Sequence, residues 1–317
     1  MEKYLLRAVV MVKERAENRG GGGRSRADSF TGKLVKSLLI DGNPRLKPFF
    51  EKTSGSAPKL VHVTPLYIEI VESGKLRTKC IHSLRYVNGS SRYSFYVGFI
   101  ETSTIISPAF DDVYDAILNL SGRRRFGANV FDVELISAES VDVVREAKKA
   151  VSDLARFGKI RVVFASPTLL RDPLRIGKHK SLTPTPMNVF STPVYVNLYL
   201  TGKLKQKNLI RTLIILHRLL NEPYSIHKTI KVIRLKYEEG KTPIPALIGY
   251  VNLYLNKHYL DLYTAKGMNT EALLEETFAT ALTLGIGTSR ATGFGHTKIT
   301  THHPAPDGVR WVFRNQP

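Results

Sequence analysis

Apolar positions recur along the chain with two periods, and the switches between them mark out the elements. Tyr4 to Val12, rich in Val and Leu, reads as a strand. Thr31 to Ile40 sets Leu34, Leu38 and Leu39 on one helix face and closes on Asp41-Gly42-Asn43-Pro44. Lys59 to Ile70 is again strand-like, a hairpin follows through Glu72-Ser73-Gly74, and Asn88-Gly89 turns the chain into a strand from Arg92 to Ile100. Phe110 to Leu120 is helical and ends at Ser121-Gly122. Arg123, Arg124 and Arg125 mark a turn, and Phe126 to Ala138 is a strand. The order β, α, β, β, α, β is that of a ferredoxin-like unit.

The pattern then repeats. Glu139 to Phe157 is charged and helical. Beyond it come a strand from Lys159 to Leu170, a helix from Asn208 to Leu220, and a strand or turn from Lys231 to Tyr237. A strand from Ala246 to Leu255, a helix from Thr270 to Leu284 and a last strand from Gly293 to Thr300 complete the unit. Between Leu170 and Tyr195 the chain is rich in Pro and Lys, and it reads as a long hairpin or flap. The expected fold class is α+β, with tandem ferredoxin-like (βαββαβ, RRM-like) domains. The expected boundaries are 1–138, a connector helix over 139–158, 159–301, and a tail over 302–317.

Charge adds a partner to this picture. The 317 residues include 47 Lys and Arg against 27 Asp and Glu, a net charge of +20 spread along the chain. A basic folded protein of this kind points to a polyanion, nucleic acid first. No basic amphipathic helix or lipidation signal argues for a membrane surface. Cys80 is alone, so neither a disulfide framework nor a Cys-based zinc site is expected. His302 and His303 lack carboxylate or thiol partners at ligand spacing, so no metal is expected there. Met1-Glu2-Lys3-Tyr4 leads straight into a strand rather than a signal peptide, which makes the expected location cytoplasmic.

The most distinctive stretch is Gly285-Ile286-Gly287-Thr288-Ser289-Arg290-Ala291-Thr292-Gly293-Phe294-Gly295, between a helix and a short strand. It is not a nucleotide-hydrolase phosphate loop, which runs strand, loop, helix and carries Lys where His296 stands. A dinucleotide fingerprint also fails, because its third Gly would fall at Arg290. No cofactor is therefore expected. Four positions without a Cβ let the backbone approach another chain closely, and Arg290 is placed to meet a phosphate bidentately. The alternative is a turn whose glycines only permit tight packing.

This loop, late in a basic two-unit chain, resembles that of the CRISPR-associated endoribonucleases of the RAMP superfamily, which cut precursor CRISPR RNA within each repeat. Val163-Phe164-Ala165-Ser166-Pro167-Thr168-Leu169-Leu170 is similar to the Ser-Pro-Thr strand that opens their second domain. Pro58-Lys59-Leu60 is similar to the start of their second strand. The resemblance implies metal-independent cleavage, in which a 2′-hydroxyl attacks its own phosphate and leaves a 2′,3′-cyclic phosphate and a 5′-hydroxyl. Many members carry a catalytic His in or after the first helix. Here no His precedes His62, and the loop reads Phe49-Phe50-Glu51.

Some archaeal members similarly lack that His and use a basic cluster. The matching positions are Lys33, Lys36, Lys59 and Arg290. Arg290 stays protonated and can only stabilise charge, whereas a Lys crowded by cations can act as base or acid. His62 lies three residues beyond Lys59, on the opposite strand face, and reads as structural. Phosphate contacts are expected from Arg24, Arg26, Arg123, Arg124, Arg125, Lys178, His179 and Lys180, with Gly285, Gly287, Ser289, Gly293 and Gly295 letting RNA approach the loop. Aromatics of the Arg92 to Phe99 strand are candidates to stack bases. The implied partner is CRISPR repeat RNA, single-stranded or a small hairpin. A non-catalytic RNA-binding subunit of a CRISPR effector complex is the alternative, followed by an unrelated basic ferredoxin-like protein. Sheet edges in both halves leave a homodimer open.

Overall fold

A computed structural model describes residues 1–15, 29–51, 57–72, 75–87, 91–127, 129–175, 180–222, 228–237 and 242–300. The chain opens with β1 (Glu2–Arg15) and α1 (Thr31–Gly42), followed by a four-residue turn of helix, α2 (Lys47–Phe50). Leu34, Val35, Leu38 and Leu39 bury one face of α1. Pro44 then cannot continue the helix, and Asn43 caps the next turn by accepting from the Arg45 amide at 3.1 Å.

The expected strand from Lys59 to Ile70 is two strands, β2 (Val61–Val63) and β3 (Leu66–Glu72), separated at Pro65, which cannot donate to a ladder. β4 (Lys75–Ile81), β5 (Ser91–Glu101) and α3 (Phe110–Leu118) follow. Arg123, Arg124 and Arg125 are not a turn: Gly122–Phe126 is β6, paired with β7 (Asn129–Val141). Among the described residues the first sheet has the order β4-β3-β5-β1-β7-β6, with β2 also on β5, and every pairing is antiparallel.

α4 (Val143–Phe157) starts where Asp142 accepts from the Arg145 amide at 2.9 Å and stops at Gly158, whose φ of 70° suits glycine. Its apolar face, Val143, Ala147, Ala150, Val151 and Leu154, belongs to the core of the second unit. β8 (Lys159–Thr168) opens that unit. The two-residue strands β9 (Leu170–Arg171) and β10 (Lys180–Ser181) form a small hairpin.

The rest of the expected flap is instead a helix, α5 (Pro186–Leu200). Pro186 suits its first turn, and Thr185 accepts from the Asn188 amide at 3.3 Å. Pro193 inside the helix removes a donor and hides the pattern from a sequence reading. α6 (Gln206–Leu219), β11 (Leu220–Asn221), β12 (Ile230–Leu235) and β13 (Ile244–Leu255) follow. After them come a second unexpected helix, α7 (Lys257–Ala265), then α8 (Thr270–Leu284) and β14 (Thr297–Thr300). The second sheet runs β11-β13-β8-β14 with β12 on β13. In the first sheet β1 lies between β5 and β7, and in the second β8 lies between β13 and β14, which is the ferredoxin-like order.

α8 is buried nearly all round, because it fills the space between the units. Two of its threonine hydroxyls are satisfied locally, Thr277 donating to Leu273 O at 2.7 Å and Thr283 to Ala279 O at 2.8 Å, while Thr280 donates to Asn197 Oδ1 of α5 at 2.6 Å. Gly98 of β5 faces this helix, and a Cβ there would lie 1.7 Å from the Thr283 carbonyl oxygen. Apolar contacts spanning both units, such as Leu60, Ile100, Val196 and Leu284, complete the seam.

Candidate nucleic-acid interface

A groove of about 1310 Å³ opens between the units. The first unit supplies Lys36 from α1, the Phe50-Glu51 end of α2, and Pro58-Lys59. The second supplies Arg171, Tyr195 of α5, and the loop from Gly287 to Thr292. Residues from opposite ends of the polypeptide therefore share one cleft.

Two ammonium groups meet there on a single acceptor. Lys36 Nζ donates to the Phe50 carbonyl at 3.2 Å, and Lys59 Nζ donates to the same oxygen at 2.8 Å. Burial pushes the Lys59 ammonium below its ordinary pKa, and the charges of Lys36 and Arg290 push the same way. Lys36 is also lowered, by burial first, while Glu51 pulls it back up and Lys33 presses it down. Lys33 is turned away from the pair: its Nζ lies over the Tyr237 ring, 3.8 Å from the centroid. Of the four expected site cations, Lys36 and Lys59 converge most closely.

Arg290 is adjacent, but its fork does not point at a phosphate. The residue is 7% exposed, Nη1 donates to Leu284 O at 3.1 Å, and Nη2 donates to Lys59 O at 3.1 Å. Burial lowers its pKa to about 10, so it keeps its charge at neutral pH. In this arrangement Arg290 fastens the end of α8 to the backbone of Lys59.

The glycines of the loop likewise meet protein rather than open space. A Cβ on Gly285 would lie 2.5 Å from Gly295 O, on Gly287 2.3 Å from Leu169 O, on Gly293 2.8 Å from the Gly32 Cα, and on Gly295 1.9 Å from Ile286 O. Left-handed φ values at all four reinforce the requirement. The close approach expected for RNA is thus used to fold the loop on itself and onto α1. Ser289, at φ 60°, is exposed and lines the groove, so it is the member of that set open to a ligand.

No family model matches this chain, and no curated protein matches it. Solved structures do. A Cas6 product complex superposes over 93% of this chain and 98% of the other at 12% identity, with a TM-score of 0.54. Cas6 of Thermus thermophilus covers 94% and 98% at 11% identity, with a TM-score of 0.49. A Cas6-related protein from Pyrococcus furiosus covers 94% and 100% at 10% identity, with a TM-score of 0.45. This chain has the Cas6 fold.

Within that Cas6 fold, several expected RNA contacts lie elsewhere. Arg24, Arg26, Lys178 and His179 fall outside the described residues. Arg124 closes the end of α3, donating to Leu120 O at 3.3 Å and to the Asn119 carbonyl. Arg123 and Arg125 are exposed on the edge strand β6 and do not line the groove. Lys180 is exposed opposite Arg171 in the β9–β10 hairpin, and Arg171 lines the groove. Tyr93, Phe95 and Phe99 of β5 are fully buried and cannot stack bases. The rings that do line the groove are Tyr195 and Tyr237, with Phe50 beneath the lysines. Tyr195 lies in the helix α5 where a flap was expected, and Tyr237 lies two residues past β12.

His62 and His296 occupy the seam, not the groove. Their rings stack 5.7 Å apart at 14°, and His296 also stacks on Tyr96 at 4.8 Å. His62 Nδ1 donates to the Arg290 carbonyl at 3.0 Å, which assigns its tautomer. Burial, then the Arg290 charge, lowers the His62 pKa to about 3, and burial holds His296 well below its ordinary range. Both rings are neutral spacers. No helix among the described residues is long and apolar enough to cross a membrane.

Proposed function

We propose that the groove binds CRISPR repeat RNA and cuts it without a metal, by attack of a 2′-hydroxyl on the adjacent phosphodiester. The observation that carries this reading is the pair of ammoniums, 3.2 and 2.8 Å from one carbonyl, in a basic cleft between the units. A phosphate oxygen entering there replaces the Phe50 carbonyl as their acceptor with a charged and stronger one.

Lys59 is the better base, since burial and two neighbouring cations favour its neutral form. It takes the 2′-hydroxyl proton as the O2′–P bond forms. The P–O5′ bond breaks, and the departing 5′-oxygen takes a proton from the charged Lys36. The products are a 2′,3′-cyclic phosphate and a 5′-hydroxyl, with one proton gained by Lys59 and one lost by Lys36. Two interacting amines titrate in separate steps, so one can be neutral while its neighbour is charged. Arg290 acts through Lys59, by holding its backbone. Ser289, Tyr195 and Tyr237 are placed to meet sugar and bases.

The test is cleavage of end-labelled repeat RNA. Cutting should survive excess chelator and stop when the nucleotide before the scissile bond is 2′-deoxy. Lys59→Ala should slow it by at least about tenfold with RNA binding largely kept. Loss of cutting in chelator, or cutting of the deoxy substrate, would overturn the mechanism.

A non-catalytic RNA-binding subunit of an effector complex is the second reading. It is favoured by the absence of any histidine among the described groove residues. It predicts tight repeat binding with no product in the same assay. The first sheet ends on β4 and β6, and a homodimer through either edge would be read from the solution mass.

A further inference from the structure

Glu51 is the one acidic residue among the described residues that line the groove, facing Lys36, Lys59, Arg171, Arg175 and Arg290. It directly follows Phe50, whose carbonyl both lysines share. The chain leaves α2 at this point in an extended conformation, φ −74° and ψ 168°, and Glu51 lines the cleft. Among the described residues its ion-pair partner is Lys47 Nζ at 3.9 Å, and both side chains are more than half exposed. Such a pair is too loose and too wet to explain a carboxylate there by stability.

We infer that Glu51 is a positioning residue: the built-in counter-anion of the lysine pair, offsetting their crowded charge until RNA phosphate takes its place. The inference rests on the proposed chemistry of the groove. Charges that act on the pair are Lys33 from α1, Arg290 from the loop, and Glu51 itself, with Lys33 lying over the Tyr237 ring. Of these, Glu51 alone favours the charged amines. Its field raises both lysines against burial and the other cations. A carboxylate in this position keeps two crowded ammoniums tolerable in the free protein. It also repels the phosphate backbone, so an occupied groove drives it out toward Lys47 and solvent.

The discriminating variant is Glu51→Gln, which keeps shape and removes charge. Two measurements separate this inference from the reading beneath it. First, the pH dependence of acetic anhydride labelling at Lys36 and Lys59, read by mass spectrometry on free protein, reports their neutral fraction without any cleavage. Glu51→Gln should move the midpoint of at least one lysine down by roughly half a pH unit or more. Second, the acid limb of the single-turnover cleavage profile should move down with it, making cutting roughly threefold faster on that limb.

Lys47→Gln is the control and should change neither. Unchanged labelling in Glu51→Gln overturns the inference, whatever the cleavage result. A variant that loses cleavage together with its acid limb also overturns it, because Glu51 would then be the base. If the wild-type protein never cuts but labelling shifts as expected, the counter-anion role of Glu51 stands and the cleavage reading falls.

Discussion

The groove and the seam are built by the same two stretches of chain, yet they hold opposite chemistry. Lys59 and His62 are three residues apart, so an extended backbone sends them to opposite sides. Lys59 enters the open cleft, where its ammonium finds a carbonyl and solvent. His62 enters the closed seam, where it is fully buried and neutral. Arg290 faces both ways: its guanidinium holds the Lys59 carbonyl, and its own carbonyl receives His62 Nδ1–H. Charge stays where phosphate or water can meet it, and rings that shed their charge are stacked where neither is needed. The difference separates what should break when each region is changed. Groove variants should lose chemistry and keep the fold, while seam variants should lose the docking of the units first.

The largest effect should come from forcing a side chain into the seam. Gly98→Val places a Cβ 1.7 Å from the Thr283 carbonyl oxygen, a contact with backbone that no rotamer relieves. We expect a loss of roughly 3 kcal/mol or more in urea or thermal unfolding, with RNA binding lost as the groove walls separate. Gly122→Ala is the contrast. Nothing lies within 4 Å of its Cβ position, so only the strain of its φ of 120° remains and a smaller loss follows. Equal losses in the two variants would show that the seam is not closely packed.

What the sequence made legible follows the same division. Periodicity found β1, α1, β5, α3, α8 and the ferredoxin-like order, because each of these buries a clear face. It failed at α5, where Pro184, Pro186 and Pro193 read as a loop, although Val189, Phe190, Val194 and Val196 are all buried. Lysines 36 and 59 were found through the resemblance, and their meeting on the Phe50 carbonyl has no sequence signature. The glycine loop was recognised, but which partner its bare Cα atoms meet is a tertiary fact. Leu169, Gly32 and Ile286 are local or distant in the chain without any pattern to say so. Glu51 could have been noticed as the one acid between Lys47 and Lys59.

An intermediate effect should appear on acidification. In the folded protein His62 stays neutral to about pH 3, whereas in the unfolded chain it takes a proton near its ordinary 6.5. Below 6.5 the unfolded state therefore binds more protons, so stability is fully present above that value and is lost as pH falls toward 3. The slope should be about 1.4 kcal/mol per pH unit for each buried imidazole, His296 adding to His62. Urea midpoints measured from pH 7 to pH 4 should fall steeply in the wild-type protein and less so in His62→Gln. A parallel decline in both would remove the histidines from the acid sensitivity of the seam.

The smallest effects sharpen the border of the groove. Arg171 lines it, whereas Arg124 spends its guanidinium on the carbonyls that end α3. If affinity comes from phosphates neutralised inside the cleft, Arg171→Ala should weaken repeat RNA binding and reduce the slope of log affinity against log salt by about 0.7, the value for one contact on a single strand. Arg124→Ala should leave that slope unchanged and cost a little stability through the uncapped helix end. Fluorescence titrations at four salt concentrations resolve a change of this size. A shallower slope in Arg124→Ala would carry the RNA path across β6 and out of the groove, and the comparison between a wet and a dry face of one chain stretch would no longer locate the ligand.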